Sequence, residues 1–195
     1  MFPKAGQTIP EIRLDGFEGK WENKILSEVT NITMGQSPKS ENYTDNPNDY
    51  ILVQGNADIK DKQVVPRLWT TQVTKMAEIG DIILTVRAPV GDIGKTDFNV
   101  VIGRGVAAIK GNDFIFFTLE KMKMTGFWNR FSTGSTFESI SSNDIKEAIV
   151  QLPTLDEQQA IGAYFSNLDN LINSYQEKIT QLETLKKKLL QDMFI

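Results

Sequence analysis

The feature that most constrains this chain is a regular apolar pattern near its C-terminal end. Apolar residues recur there at steps of about four and three, a spacing that places them on one seam of a coiled-coil helix. The seam consists of Ile161, Phe165, Leu168, Ile172, Tyr175, Ile179, Leu182, Leu185 and Leu189. Thr154 and Glu157 have the spacing of a capping box at its start. We therefore expect one helix over residues 154–195, roughly 60 Å long.

The predicted seam needs a surface to pack against. A helix of this length extends well beyond a domain formed by the preceding residues, so a single chain would leave much of the seam exposed. A second helix, from another copy of the chain or a related unit, would cover it. The alternative is a core helix that folds back on its own domain. Polar residues such as Asn167, Asn170 and Gln181 on the other faces favour the intermolecular coiled coil.

Residues 1–153 alternate short apolar runs with turn-forming residues, which predicts an α+β domain with a twisted, mixed β-sheet. The clearest buried strand is expected at residues 82–86. Residues 103–105, Gly-Arg-Gly, divide two further strand segments, and residues 114–124 carry apolar side chains at helical intervals. Trp21 is expected to anchor an extended N-terminal segment to this domain.

The composition excludes several kinds of chemistry. Cysteine and histidine are both absent, so disulfides, thiol nucleophiles, serine-histidine triads and metal sites built on thiolate or imidazole cannot form. Carboxylates could still act as acids and bases, but no pair is identifiable, and we expect neither an enzyme nor a metal or cofactor site. The chain has no apolar run long enough to span a membrane and no signal peptide. A cytoplasmic protein is the expectation.

The charge distribution permits contact with nucleic acid. The net charge is −4, yet lysine and arginine are concentrated in residues 59–137. DNA recognition uses guanidinium and amide groups at base edges, and cationic or hydroxyl groups at phosphates. Polar loops supply such candidates, namely Ser37, Lys39, Tyr43, Arg67, Arg87, Arg104, Arg130, Thr133, Ser135 and Thr136. Each arginine could equally form a structural ion pair on the surface.

Several short motifs follow one another in a characteristic order. They are Gly80-Asp81-Ile82-Ile83-Leu84, Arg87-Ala88-Pro89-Val90-Gly91, Thr133-Gly134-Ser135-Thr136 and Leu152-Pro153-Thr154-Leu155-Asp156-Glu157-Gln158-Gln159. Their order and spacing resemble the specificity subunit of type I restriction-modification enzymes. The step from the last motif into a long helix is the most specific part. The resemblance extends over nearly the whole chain.

The resemblance implies a half-subunit. Complete subunits of that family resemble two tandem copies, each a target recognition domain followed by a spacer helix, with the two helices antiparallel. This chain would supply one target recognition domain, residues 1–153, and one spacer helix, residues 154–195. Two such chains, as a homodimer or paired with another half-subunit, would mimic a complete subunit.

The resemblance also implies a non-catalytic function. The chain would read one half of a bipartite site in double-stranded DNA and dock adenine methyltransferase subunits, with a restriction subunit joining through the complex. S-adenosylmethionine is expected on the methyltransferase subunit rather than on this chain. The alternative is a protein-only coiled-coil adaptor without direct DNA readout.

Overall fold

The computed structural model describes residues 1–4, 6–131 and 139–193 of the chain. Its strands are β1 (Glu22–Ile25), β2 (Ile32–Met34), β3 (Tyr43–Thr44), β4 (Tyr50–Val53), β5 (Ile59–Lys60), β6 (Gln63–Val64), β7 (Trp69–Thr70), β8 (Met76–Ala77), β9 (Ile82–Thr85), β10 (Ile93–Lys95), β11 (Val100–Ile102), β12 (Val106–Ile109) and β13 (Ile149–Leu152). Its α-helices are α1 (Leu26–Val29), α2 (Asp113–Met124), α3 (Ser142–Lys146) and α4 (Leu155–Met193). The predicted α+β class is confirmed.

Two mixed sheets form the body of the domain. One has six strands in the order β2-β12-β9-β10-β6-β5, and the other has five in the order β3-β7-β4-β11-β8. In each sheet one pair is parallel, β6 with β10 and β4 with β11, and the other pairs are antiparallel. A separate antiparallel pair, β1 with β13, brings the N-terminal segment beside the strand that precedes α4. The prediction of mixed sheets is confirmed.

Strand β9 lies in the middle of the six-stranded sheet, and both of its faces are buried. Side chains alternate between the two faces of a strand. Ile82 and Leu84 therefore enter the core that the six-stranded sheet forms with the helices, whereas Ile83 enters a second core formed by strands of both sheets. A strand buried on both sides needs an unbroken apolar run, which explains the sequence signal at residues 82–86.

Helix α2 is the main helix of the first core. The side chain of Asn112 caps it by accepting a hydrogen bond from the N–H of Ile115 at 3.0 Å. Residues 114–119 are all buried, because the helix contacts both strand β10 and helix α4. Trp21 is 2% exposed and packs edge-on against Phe114, with 5.5 Å between ring centroids. The predicted anchoring role of Trp21 is confirmed.

Helix α4 has a docked part and a free part. It contains 39 residues, which corresponds to about 58 Å. Glu157, Ile161 and Gly162 are buried against the domain, whereas residues 170–193 are all exposed. The carboxylate of Glu157, predicted to complete a capping box, instead accepts hydrogen bonds from Arg13, because a carboxylate at this depth needs a cationic partner. None of the helices that the structure describes combines the length and apolar character needed to cross a bilayer.

Candidate nucleic-acid interface

Four of the predicted DNA-binding residues lie around one cleft of about 520 Å³. Ser37 follows β2, Arg67 lies between β6 and β7, Arg87 follows β9, and Arg104 lies between β11 and β12. Three guanidinium groups thus converge around a cleft that also contains the carboxylate of Asp58. Guanidinium groups suit both phosphate oxygens and guanine edges, so the cleft has the chemistry of a DNA contact surface.

Arg104 is held in position by the close packing of its neighbours. A Cβ atom on Gly105 would lie 2.0 Å from the carbonyl oxygen of Gln54, and one on Gly103 would lie 3.2 Å from Oγ of Ser37. The first distance is impossible without a shift of the backbone, and the second is tighter than an ordinary van der Waals contact. The Oγ of Ser37 also accepts a hydrogen bond from the backbone N–H of Arg104 at 3.0 Å. Ser37 therefore supports the loop that carries Arg104.

Asp58 organises the turn that forms another part of the cleft. Its carboxylate accepts hydrogen bonds from the backbone N–H groups of Gln54 and Gly55 at 2.7 and 3.2 Å. Arg67 lies 3.7 Å from the same carboxylate and donates to the carbonyl of Ala57 at 2.8 Å. The side chain of Arg67 is nevertheless 55% exposed. Arg67 therefore forms part of a structural ion pair, as the alternative interpretation predicted. Its guanidinium still has N–H groups available for a ligand.

Arg87 and Arg104 are exposed, and no carboxylate in residues 6–131 or 139–193 forms an ion pair with either. The backbone of Arg87 forms an isolated β-bridge with Ser139. Ser139 directly follows residues 132–138, which lie outside the described part of the chain. Three predicted residues fall in that stretch, namely Thr133, Ser135 and Thr136.

The other described candidates do not line the cleft. Lys39 is exposed and lies 3.8 Å from Glu41, a distance typical of a weak surface pair. Tyr43 belongs to β3, an outer strand of the five-stranded sheet. Arg130 places its guanidinium 3.7 Å from the ring centroid of Phe127, so it forms a cation–π contact within its own segment.

Two cleft residues were missed because their stretch looked like an ordinary turn. Gln54 and Asn56 both line the cleft and carry amide groups, which can hydrogen-bond base edges. The amide of Asn56 donates to the carboxylate of Asp92 at 3.2 Å. The available signal was composition, since amides beside a glycine can either form a turn or contact a ligand.

Two polar contacts fix the docked part of α4 to the domain. At its first turn, both oxygens of Glu157 accept hydrogen bonds from Arg13, at 2.8 and 2.7 Å. The hydrogen bond to Glu157 raises the pKa of Arg13 further above its ordinary value, so the guanidinium stays charged. Near the end of the docked part, Lys62 lies 2.7 Å from both Asp169 and Glu120. Burial alone would lower the pKa of Lys62, but these two hydrogen bonds raise it above its usual range.

A third contact joins α2 to α4. Asp113 accepts a hydrogen bond from Ser166 at 2.7 Å and pairs with Lys95. Burial would raise the pKa of Asp113, but the hydrogen bonds from Lys95 and Ser166 outweigh it and hold the pKa below its usual range. Gly162 allows this approach, because a Cβ there would lie 2.7 Å from Cβ of Asp113. The glycine in the helix therefore serves close packing.

The structure corrects the start of the predicted dimerisation seam. Ile161 is 2% exposed within the core of its own domain, and the ring of Phe165 lies 5.2 Å from that of Phe117. These two residues pack within their own domain, because α4 lies directly on α2 here. The rest of the seam is exposed on the single chain, namely Leu168, Ile172, Tyr175, Ile179, Leu182, Leu185 and Leu189.

Comparison with known proteins identifies the family of this chain. Residues 18–184 match the type I restriction modification DNA specificity domain. The putative type I restriction enzyme MjaX specificity subunit of Methanocaldococcus jannaschii is 34% identical over 165 residues, covering 82% of this chain and 38% of that protein. The type I restriction enzyme MjaIX specificity subunit of the same organism is 27% identical over 121 residues, covering 60% of this chain and 28% of that protein.

Solved structures share the fold. A chain from a study of complex assembly and conformational transition of the type I R-M system has a TM-score of 0.77 at 30% identity, covering 96% of this chain and 46% of that one. The HsdS subunit of Thermoanaerobacter tengcongensis has a TM-score of 0.69 at 28% identity, covering 88% and 42%. This chain thus spans less than half the length of these relatives.

The matched region includes both the sheet domain and most of α4. The family description names DNA specificity, which is the function that the sequence resemblance implies. On the strength of this match, the chain belongs to the family of type I restriction modification DNA specificity domains.

Proposed function

We propose that this chain reads one half of a bipartite DNA site through the cleft around Arg67, Arg87 and Arg104, as a subunit of a type I restriction-modification system. The observation that carries the proposal is the convergence of these side chains from separate loops onto one surface. Arg87 and Arg104 are exposed. Exposed guanidinium groups gain more from phosphate or base contacts than from isolation in solvent.

A methyltransferase subunit completes this function. The net charge of −4 opposes tight binding of the isolated chain to a polyanion. Most of the counterion-release contribution must therefore come from a partner with its own phosphate contacts. The methyltransferase subunit would also hold S-adenosylmethionine and perform the reaction on adenine, and a restriction subunit would join through the same complex.

The free part of α4 serves as the dimerisation arm. Its exposed seam includes Ile172 at 62%, Tyr175 at 63% and Leu182 at 65% exposure. A row of such side chains on one face is costly in water, and an identical helix in a two-fold pair covers it. The pair would be antiparallel and would place one domain toward each end. In a heterodimer, a different half-subunit would take the place of the second copy in the same antiparallel pair of helices.

DNA binding can be tested by gel shift with duplex DNA, in the presence of the methyltransferase subunit, across a series of salt concentrations. A salt-dependent shift is expected, and Arg87→Ala should reduce the slope of log K against log salt by about one, as expected for the loss of one phosphate contact. Lys146→Ala removes one positive charge from an exposed residue on α3 and should leave the slope unchanged. A complete absence of DNA binding would favour the alternative of a protein-only adaptor.

The dimer can be tested separately by sedimentation. Ile172→Glu combined with Ile179→Glu places two charges on the seam, seven residues apart, and should give a folded monomer. Ser174→Glu combined with Gln181→Glu has the same charge and spacing on the opposite face of α4 and should remain a dimer. Equal behaviour of the two double variants would contradict pairing through this seam.

A further inference from the structure

The cleft contains one amide side chain whose backbone is held on several sides. A Cβ atom on Gly105 would lie 2.0 Å from the carbonyl oxygen of Gln54. A Cβ atom on Gly103 would lie 3.2 Å from the Cγ atom of Gln54. Its backbone N–H donates to Asp58 at 2.7 Å. The two glycines flank Arg104 in sequence, so the loop that carries Arg104 packs on the backbone of Gln54.

The amide of Gln54 has no hydrogen-bond partner among residues 6–131 and 139–193. Two other amides of the domain, by contrast, are hydrogen-bonded within the protein. Asn56 donates to Asp92, and the Oε1 of Gln72 accepts hydrogen bonds from Lys39 and Asn42. Gln54 thus combines a fixed backbone with an unpaired amide that lines the cleft.

We infer that Gln54 is a specificity-determining residue that reads an adenine in the half-site, an inference that rests on the proposed function. The amide of glutamine offers one acceptor and one donor side by side. In the major groove, adenine presents the complementary pair, with N6–H donating to the amide oxygen and N7 accepting from the amide N–H. The fixed backbone limits where the amide can lie in the groove, which narrows the set of bases that it can contact.

The neighbouring arginines have a different part in the same contact. Arg67 and Arg87 contribute positive charge to the cleft and contact phosphates, which positions the duplex without reading its sequence. Arg104 lies beside Gln54 and supplies the donor pair that suits O6 and N7 of an adjacent guanine.

The inference can be tested by selecting bound sequences from a library of duplexes with randomised half-sites, using the chain together with the methyltransferase subunit. Gln54→Glu keeps the size of the side chain but replaces the donor with a second acceptor. One position of the selected half-site should change from adenine to cytosine, whose N4–H₂ group donates to carboxylates. Gln54→Ala should relax the preference at that position by about 10-fold or more while the other positions remain.

Gln159→Glu is the matched control, since Gln159 is an exposed glutamine on α4 and should leave the half-site unchanged. Thermal melting of each variant checks that the domain is folded. If the wild-type chain selects a defined half-site and both Gln54 variants select the same one, Gln54 does not read a base. If the wild-type chain selects no sequence at all, the proposed function itself fails.

Discussion

At the scale of single residues, the shape of the cleft depends on glycines that have no chemistry of their own. Gly103 and Gly105 let the loop that carries Arg104 pack directly on the backbone of Gln54. A side chain at Gly105 would separate two segments that together present the candidate contacts. The function of a glycine here is therefore to bring a guanidinium and an amide close together.

We expect Gly105→Ala to destabilise the domain by about 1–3 kcal/mol, because the new Cβ would lie 2.0 Å from a carbonyl oxygen and force the backbone apart. Gly55→Ala is the matched control, since it lies in the same cleft and a Cβ there meets nothing within 4 Å. Urea unfolding should show a lower free energy of unfolding for Gly105→Ala and an unchanged one for Gly55→Ala. Equal stability of the two variants would show that the close packing at Gly105 is unimportant.

At the scale of elements, the sequence predicted structure wherever local periodicity determines it. The buried run at residues 82–86 and the helical spacing of residues 114–124 correspond to β9 and α2. The same reasoning could not separate the docked part of α4 from its free part. Apolar residues at steps of three and four are expected both where a helix packs on its own domain and where it packs on a partner helix. Ile161 thus followed the seam pattern yet lies in the core.

Long-range pairs are the second limit on prediction from sequence. Arg13 and Glu157 are 144 positions apart, and nothing local in the sequence links a lysine such as Lys62 with Asp169. Their pairing depends on the fold that brings the segments together. The convergence of the cleft arginines was unpredictable for the same reason, although each residue type was recognisable.

Removing Arg13 tests the first contact of the docked helix. Arg13→Ala should destabilise the domain by about 3–5 kcal/mol, because the side chain of Glu157 is 1% exposed and would lose its cationic partner. Lys4→Ala breaks an ion pair whose side chains are 68% and 58% exposed and should cost less than about 1 kcal/mol. Chemical denaturation of both variants measures the difference, and similar losses would mean that burial of Glu157 has little effect.

The contact between α2 and α4 should make stability dependent on pH. The folded state lowers the pKa of Asp113, so its ionised form contributes stability above the pKa of the unfolded chain, about 3.9. That contribution is lost as the pH falls through the lower, folded value. Asp113→Asn should therefore narrow the difference in unfolding free energy between pH 6 and pH 3. Lys95→Met should have a similar effect, and an unchanged pH dependence in both variants would contradict this assignment.

At the scale of the whole molecule, the free part of α4 would set the distance between the two domains of the proposed dimer. From Asp169 to Met193 it extends about 36 Å. That length is close to one turn of B-DNA, about 34–36 Å, the separation of two half-sites read from the same face. A homodimer with this arm would read an interrupted palindrome, whereas two different half-subunits would read an asymmetric site.

Shortening the arm should shorten the spacer between the half-sites. Deletion of residues 171–177 keeps the heptad phase and removes about 10 Å, or roughly three base pairs. The methylated sequence should then have a shorter spacer and the same half-site bases. Sequencing of methylated DNA measures both quantities. A change of bases with unchanged spacing would show that the arm does not set the distance.

Because α4 is attached to the domain only through its docked part, a small tilt there causes a large displacement at the far end of the free part. A tilt of about 5° at the dock would move the far end of a 36 Å arm by about 3 Å, nearly the rise of one base pair. Contacts spread from Glu157 to Asp169 resist such a tilt better than a single contact could. The angular stiffness of this attachment, more than the length of the helix, would therefore decide whether the two half-sites remain in register.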